Sequence, residues 1–250
     1  MEKITSRKNQ YIARLRRLAV DGEERRQRGE TVLSGGKLLG EALQSGAKVT
    51  SLLCTGEAPP GLSPETRLYC ADGELVEYAS PVKSSAGPVF TVALESVPPP
   101  ERPRAVIVLE EVQDPGNVGT VIRTAAALGA DALVLVGDCA DVTSPRVMRA
   151  TMGACFRFPV LTADLGGLSE LLRGWGLPLY GAALAPDSVD LRTLPLQSCA
   201  VAVGNEGRGL SEGLLALCQG KLIIPMDARS ESLNAAMAAT VIIWEMVRGK

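Results

Sequence analysis

The chain has 250 residues, of which 46% are hydrophobic and 22% are charged, and its formal net charge is −2. This length and composition are typical of a globular protein with one large or two smaller domains, and they exclude an intrinsically disordered chain. No apolar run reaches the roughly 18 residues that span a bilayer, and the N-terminus lacks the apolar stretch of a signal peptide. We therefore expect no association with a membrane.

The chain contains six cysteines and no histidine. No two cysteines form a Cys-x-x-Cys pair, and most lie in apolar surroundings, which is typical of reduced thiols and predicts a cytoplasmic protein. Without histidine the chain lacks the commonest zinc ligand and the usual general base. We expect no metal site, and neither a metal hydrolase nor a serine–histidine hydrolase fits this composition.

Positive charge is concentrated at the N-terminus, where residues 1–40 hold ten Lys or Arg residues against five acids. An amphipathic helix with a basic outer face is predicted from Asn9 to Asp21. Leu15, Leu18 and Val20 would form its apolar side. The basic face is either an ordinary solvated surface or a surface that contacts nucleic-acid phosphates.

A small α/β domain is predicted for the N-terminal part of the chain. Its expected elements are strands at 31–33, 49–54 and 89–94 and a helix at 37–45. The proline-rich stretch at 98–104 can form neither a helix nor a central strand. We interpret it as a linker between an N-terminal domain at 1–97 and a second domain at 105–250.

Apolar strands alternate with helices in the second domain. The predicted strands are 105–109, 132–136, 158–161, 178–182, 200–203 and 221–224, and the predicted helices are 118–128, 145–152, 168–175, 212–218 and a last helix beginning at 235. Strands that are apolar throughout and separated by helices predict a mostly parallel sheet with helices on both faces.

Three polar loops follow predicted strands of the second domain, and open α/β sheets place ligands at the carboxyl ends of their strands. The first loop contains Asp114-Pro-Gly-Asn117, in which Asn117 is suited to cap the next helix. Arg123 lies inside that otherwise apolar helix, near the face of Asn117, and needs a partner. The partner is either an acidic side chain in a structural ion pair or a phosphate or substrate group.

The second and third loops are Gly204–Ser211 and the segment that follows Ile224. Three glycines within six residues of the second loop expose backbone N–H groups and leave room for a ligand. In the third loop, Ser230, Ser232 and Asn234 are suited to capping the last helix. An ordinary capped helix is the alternative interpretation of that loop.

Together, the three loops resemble the three motifs of the SpoU/TrmH family, the RNA ribose 2′-O-methyltransferases of the SPOUT class. The matching residues are Asp114, Pro115, Asn117, Gly119 and Arg123; Gly204, Asn205, Glu206, Gly207, Gly209, Leu210 and Ser211; and Ile224, Pro225, Met226, Ser232, Leu233 and Asn234. The segments Arg149–Ala154 and Thr5–Asn9 are also similar to the family. The chain departs from it at Ser34, where many relatives carry an acid, and at Ala235-Ala236, where they carry Val-Ser.

The resemblance implies S-adenosylmethionine as cofactor, a C-terminal trefoil knot, an N-terminal RNA-binding domain and a homodimer whose site is completed across the interface. It implies cofactor contacts at Gly204, Asn205, Gly207, Ile224, Met226 and Leu233. The expected methyl-transfer residues are Asn117, Arg123, Glu206, Ser232 and Asn234. The expected RNA contacts are Arg7, Lys8, Arg16, Arg17 and Arg123.

The implied reaction is attack of a ribose 2′-oxygen on the activated methyl group of the cofactor. Arg123 is a poor base, because the pKa of arginine exceeds about 12. We interpret it as the group that grips the nucleotide phosphate and stabilises negative charge on the oxygen. Ser232 and Asn234 would orient the hydroxyl, and the residue pattern does not identify the base.

Ribosomal RNA is the expected substrate because of the additional N-terminal domain. The alternatives are a transfer RNA methyltransferase and an RNA-binding protein that has kept the fold but lost catalysis. A nucleotide-dependent dehydrogenase fits poorly, because it would carry G-x-G-x-x-G after the first strand of the second domain. The chain has Glu110-Glu-Val-Gln-Asp-Pro there.

Overall fold

The computed structural model of the protein describes residues 1–83, 87–227 and 232–248. Within these ranges the strands are β1 (Glu2–Lys3), β2 (Glu30–Ser34), β3 (Val49–Cys54), β4 (Arg67–Cys70), β5 (Val89–Ala93), β6 (Ala105–Glu110), β7 (Ala132–Val136), β8 (Val160–Ala163), β9 (Leu179–Ala182), β10 (Val189–Asp190), β11 (Cys199–Val203) and β12 (Gly220–Ile223). The helices are α1 (Gln10–Val20), α2 (Gly22–Arg28), α3 (Gly36–Gln44), α4 (Gly73–Ala79), α5 (Pro115–Leu128), α6 (Pro145–Ala150), α7 (Leu165–Trp175), α8 (Glu212–Leu215) and α9 (Ala235–Val247).

The chain forms two compact units. The first comprises Met1–Ser96 and Asp141–Arg157, and the second comprises Val97–Ala140 and Phe158–Lys250. In the first unit, the described strands form a mixed sheet in the order β1-β4-β3-β5-β2. Strands β1, β4 and β3 are parallel, whereas β5 runs antiparallel to both β3 and β2. This unit is therefore the smaller α/β body that the N-terminal sequence predicts.

Helices cover both faces of the first sheet. Successive residues of a strand point to opposite faces, so neighbouring residues pack against different helices. Val32 and Leu53 pack with α1 and α4, whereas Leu33 and Leu52 pack with α3 and α6. Leu15 and Leu18 of α1 are fully buried, as predicted. Val20 is 84% exposed, so its predicted place on the apolar side is wrong. At about 100° per residue, it lies about 160° away from Leu18 around the helix.

The segment Asp141–Arg157 packs with the first unit, although the predicted boundaries include it in the second domain. Arg25 is buried and donates hydrogen bonds to Asp141 at 2.6 Å and to Thr143 at 3.1 Å. Burial acts to raise the pKa of the Asp141 carboxyl, but the hydrogen bonds from Arg25 and Thr143 lower that pKa below its ordinary value. Met148 adds an apolar anchor. A strand–helix alternation in the sequence does not reveal which sheet a helix will cover.

The second unit contains a parallel sheet in the order β10-β12-β9-β11-β6-β7-β8. Val106, Val134 and Ala202 face α7 and α8. The alternate residues of these strands are also buried, and α5 and α9 contact the strands from the other face. The predicted α/β fold with a mostly parallel sheet is confirmed. None of the described helices combines the length and hydropathy that crossing a membrane requires.

Candidate active site

The three polar loops lie at one edge of the parallel sheet. They follow β6, β11 and β12, and parallel strands present their carboxyl ends on the same side. The end of β9, which lies between β11 and β12, also reaches this edge. Residues that are about 100 positions apart in the sequence are therefore brought together by the strand order.

A cavity of about 420 Å³ opens among these loops. All six predicted cofactor residues line it: Gly204, Asn205, Gly207, Ile224, Met226 and Leu233. Glu206 and Ser232, two of the predicted methyl-transfer residues, line it as well. Sequence analysis did not identify Ala182, Ala183 and Leu184, which extend the lining from the end of β9. No motif distinguishes these three residues from an ordinary strand end.

The loop Gly204–Ser211 turns back tightly on its own backbone. A Cβ atom on Gly204 would lie 2.3 Å from the carbonyl carbon of Gly209, so only glycine fits this position. The Asn205 side-chain oxygen accepts from the backbone N–H groups of Gly207 at 2.9 Å and Arg208 at 3.2 Å. The Asn205 amide nitrogen donates to the Glu111 carbonyl at 3.0 Å. Asn205 therefore stabilises the loop, and its side-chain hydrogen bonds are made within the protein.

Glu110, at the end of β6, fixes the far end of the same loop. Its side chain is buried, and its two carboxylate oxygens accept from the backbone N–H of Ser211 at 2.7 Å and from the Ser211 hydroxyl at 2.6 Å. The next residue, Glu111, forms an ion pair with Arg208 at 3.0 Å. Sequence analysis did not identify Glu110. The only available sign was a carboxylate directly after a run of buried apolar residues.

Asn117 joins all three loops through its side-chain amide. Helix α5 begins at Pro115 and is capped by Asp114, which accepts from the Asn117 backbone N–H at 2.8 Å. The prediction that Asn117 itself caps this helix is therefore wrong, and its amide is free for other bonds. The amide nitrogen donates to the Glu206 carboxylate, and the amide oxygen accepts from the Asn234 amide at 3.0 Å.

Asn234 is the residue that caps α9. Its side-chain oxygen accepts from the backbone N–H groups of Ala236 at 2.8 Å and Met237 at 3.4 Å. The capping role predicted for this loop is therefore confirmed at Asn234, whereas Ser230 lies outside the described residues. Because its oxygen binds the helix terminus, the Asn234 amide nitrogen points to Asn117. Asn117, Glu206 and Asn234 thus form one hydrogen-bonded group, which we call the amide cluster.

Arg123 is the predicted methyl-transfer residue that the structure places apart from the others. Its side chain is exposed, does not line the cavity, and forms no hydrogen bond or ion pair with any residue that the structure describes. Six helical residues rotate by about 600°, which places Arg123 about 120° from Asn117 around α5. The expectation that these two residues lie near one face is therefore wrong. The first of the two alternatives for Arg123 was a structural ion pair, but no acidic side chain in the described ranges pairs with it.

The other predicted RNA contacts belong to the first unit and are all exposed. Arg7 and Arg16 stack on the ring of Tyr78, with guanidinium carbons 4.8 and 4.4 Å from the ring centre. Arg16 also donates to the Tyr78 carbonyl at 2.7 Å. Arg17 forms an ion pair with Glu24 at 3.6 Å. Of the predicted set, Lys8 forms no ion pair or side-chain hydrogen bond with the described residues.

Metal ligands and cysteine thiols are two further kinds of reactive group in the described part of the chain. No group of three or more Cys, Asp or Glu side chains there is arranged to hold a metal ion. Burial raises the pKa of the Cys199 thiol to about 12 and that of Cys218 to about 11. These thiols stay protonated near neutral pH, so they are poor nucleophiles.

Comparison with known proteins identifies the family to which the chain is similar. The sequence model of the SpoU rRNA Methylase family matches residues 104–244. The chain is 33% identical over 249 residues to the 23S rRNA (guanosine(2553)-2′-O)-methyltransferase RlmP of Bacillus subtilis, which covers 98% of this chain and 99% of that protein.

Two solved structures with bound cofactor are also similar. One is the AdoMet-bound rRNA methyltransferase from Sinorhizobium meliloti, with a TM-score of 0.88, 27% identity and coverage of 99% of this chain and 97% of that chain. The other is the SpoU methyltransferase AviRb from Streptomyces viridochromogenes in complex with AdoMet, with a TM-score of 0.82, 27% identity and coverage of 96% and 98%. The resemblance drawn from the three loops is confirmed, and the chain belongs to the SpoU rRNA methylase family.

Proposed function

We propose that this protein transfers a methyl group from S-adenosylmethionine to a ribose 2′-hydroxyl in ribosomal RNA. The observation that carries this proposal is the amide cluster at the rim of a cavity built from the three strand-end loops. Ribosomal RNA is favoured over transfer RNA because the similarity to a 23S rRNA methyltransferase extends over both units of the chain.

The cavity fits the cofactor in size and lining. About 420 Å³ lies within the range of pockets that hold ligands of this size. Gly204 and its neighbours bring backbone groups to the wall, while Val203, Leu222 and Ile224 supply apolar surface. Gly204, Asn205, Gly207, Ile224, Met226 and Leu233 would hold the cofactor, which supplies an electrophilic methyl group on a sulfonium. The Glu206 carboxylate in the lining can complement a sulfonium, because the other charged lining residue, Arg208, is paired with Glu111.

The amide cluster then orients the ribose hydroxyl. Asn117 is held by a donor on one side and an acceptor on the other, so its amide has a single orientation. On the loop that follows β12, Asn234 bonds to Asn117 and Ser232 lines the cavity, and these two side chains would orient the hydroxyl. Pre-oriented polar groups lower the barrier because little reorganisation is needed during reaction.

The positive charge of Arg123 would interact with the RNA and not with an acidic group of the protein. Its guanidinium has no partner among the described residues, so it is available for a phosphate. We assign it to gripping the phosphate next to the reacting ribose and to stabilising charge on the 2′-oxygen. Since Arg123 neither lines the cavity nor bonds to the amide cluster of its own subunit, a second protomer is expected to complete the site.

A homodimer is part of this proposal. Met237, Val241 and Trp244 are 62%, 39% and 60% exposed and recur at positions i, i+4 and i+7 of α9, which places them on one face. A row of large exposed apolar side chains is typical of a protein interface. The apolar sequence of α9 also suggests an interface near its neighbours Ile242 and Ile243, but both side chains are fully buried within their own subunit and cannot contribute to it.

Further parts of the proposal concern the first unit, the chain topology and the compartment. The predicted RNA contacts of the first unit are Arg7, Lys8, Arg16 and Arg17, and the arginines beside Tyr78 resemble surfaces on which bases stack.

The return of α9 to pack on α5 and β6 is compatible with a C-terminal trefoil knot. All six cysteines are free thiols, which suits the cytoplasm.

The activity can be tested with purified protein, methyl-labelled S-adenosylmethionine and total RNA from cells that lack the gene. We expect the label on a ribose 2′-oxygen of large ribosomal RNA, as found by nuclease digestion and mass spectrometry. Label in transfer RNA alone would favour the alternative that the protein is a transfer RNA methyltransferase. RNA binding without any methyl transfer would favour an RNA-binding protein that has lost catalysis.

The cofactor site can be tested by Gly204→Ala. The added Cβ meets the Gly209 backbone at 2.3 Å, so the loop must move and cofactor affinity should fall by more than roughly tenfold in calorimetry. Gly174→Ala is the matched control, since a Cβ on Gly174 meets no atom within 4 Å. Equal cofactor affinity for both variants would contradict this placing of the site.

The role of Arg123 can be separated from cofactor binding. Arg123→Ala should leave cofactor affinity nearly unchanged, while single-turnover methyl transfer falls roughly 100-fold, the usual loss for one preorganised electrostatic group. Arg123→Lys should restore little, because an ammonium lacks the planar fork of the guanidinium. Arg173→Ala removes an exposed arginine from α7 and serves as the control. Full turnover by Arg123→Ala would refute its assigned role.

The dimer interface can be tested by Trp244→Glu. A carboxylate at the centre of an apolar interface is costly to bury, so light scattering should change from a dimer to a monomer mass. Val20→Glu is the control, because Val20 is also exposed and apolar but lies on α1. A monomer mass for the unmodified protein at micromolar concentration would remove the proposal of a dimer.

A further inference from the structure

The first unit contains a cavity of about 340 Å³ that none of the functions assigned above uses. We call it the basic cavity, and its lining includes Ser34, Lys37, Glu41, Lys83, Arg149 and Met152. None of its lining residues belongs to the second unit, which holds the methyl-transfer cavity.

Three cationic side chains line the basic cavity, and their charges are not neutralised by acidic partners in the described ranges. Lys37, Lys83 and Arg149 are exposed, and none of them forms an ion pair or side-chain hydrogen bond within the described ranges. The one carboxylate in the lining, that of Glu41, is already paired with Arg157 at 3.2 Å. The cavity therefore carries a net positive charge that favours an anionic ligand.

The segment that carries Arg149 is anchored to the rest of the first unit. It is held before α6 by the bond between Arg25 and Asp141, and within α6 by the buried side chain of Met148. After α6, Gly153 packs directly on α3, because a Cβ there would lie 2.6 Å from the Cβ of Glu41. The backbone at Arg149 is therefore fixed, while its exposed guanidinium is available to an anion beside Lys37 and Lys83.

Neutral donors add to the three cations. Helix α3 begins after Gly35 without a side-chain cap, so the N–H groups of its first turn have no side-chain acceptor. The hydroxyl oxygen of Ser34 is buried and has no hydrogen-bond partner among the described residues. Such groups are normally satisfied, and a bound phosphate or water can satisfy them here.

The basic cavity continues into the surface that carries the predicted RNA contacts. Lys83 also lines a cavity of about 680 Å³, whose other charged lining residues are Arg7, Arg16, Glu74 and Glu77. The two cavities therefore share one wall. A polyanionic chain that lies across Arg7 and Arg16 would also reach Lys83.

We propose that the basic cavity binds one nucleotide of the RNA substrate, distinct from the nucleotide that is methylated. Arg149 would hold the phosphate through its planar fork, Lys37 and Lys83 would add charge, and Met152 would contact the base. The cavity is thus a second point of attachment, in the first unit. The identity of the ligand as RNA rests on the function proposed above.

The test is RNA binding by the full-length protein, with Lys83→Ala, Arg149→Ala and the double variant. The probe is unmodified large-subunit ribosomal RNA, titrated at several KCl concentrations. Each lost phosphate contact should reduce the slope of log affinity against log salt by about 1. The RNA affinity of the double variant should be lower by on the order of tenfold or more. Its cofactor affinity, measured by calorimetry, should be unchanged.

Lys48→Ala is the matched control, because Lys48 is an exposed cation of the first unit outside the basic cavity. An unchanged affinity and salt slope in the double variant would overturn the proposal, as would an equal loss in Lys48→Ala. Arg149→Lys should retain the salt slope but not the full affinity, which a merely structural role for Arg149 would not produce.

These results are independent of the proposed methyl transfer. If the unmodified protein bound RNA but transferred no methyl group, the proposed function would fail and the basic cavity could still be confirmed. If methyl transfer occurred and the double variant bound RNA like the unmodified protein, only the proposal for the basic cavity would fail.

Discussion

The active site depends on the two hydrogen bonds of the Asn117 side chain. One bond goes to Glu206 after β11 and the other to Asn234 after β12, so a single amide joins loops that follow three different strands. An amide can do this because it carries a donor and an acceptor on opposite sides. An aspartate at this position would place its carboxylate against Glu206. An alanine would remove the bond from the Glu206 carboxylate and the bond from the Asn234 amide nitrogen, while the Asn234 oxygen would still cap α9.

The cavity wall depends on a second constraint, which is the closeness of Gly204 to Gly209. The loop can close only where no side chain intervenes, and it stays closed because Glu110 and Glu111 bind its far end from β6. Neighbouring strands β6 and β11 thus supply both the glycine loop and the acids that hold it. Each of these bonds joins residues that are about 100 positions apart in the sequence but lie at the ends of neighbouring strands.

The sequence predicts the strand–helix alternation and the three loops well, because buried parallel strands are apolar throughout and the loops carry unusual glycines and amides. Other features depend on partners that are distant in the sequence. The role of Glu110 follows from Ser211, and the free amide of Asn117 follows from Asp114 taking the capping position. Helix α9 is apolar on nearly every side, so periodicity could not show that Ile242 is buried while Trp244 is exposed.

The packing of Asp141–Arg157 with the first unit has a consequence for the covalent path of the chain. The polypeptide passes between the two units after residues 96, 140 and 157, and not once as in a simple tandem of domains. No single proteolytic cut can release either unit intact. A fragment beginning at residue 97 would leave Asp141 without Arg25 and would expose the apolar surface of Met148. Exchanging the first unit between relatives would therefore require exchanging the internal segment Asp141–Arg157 with it.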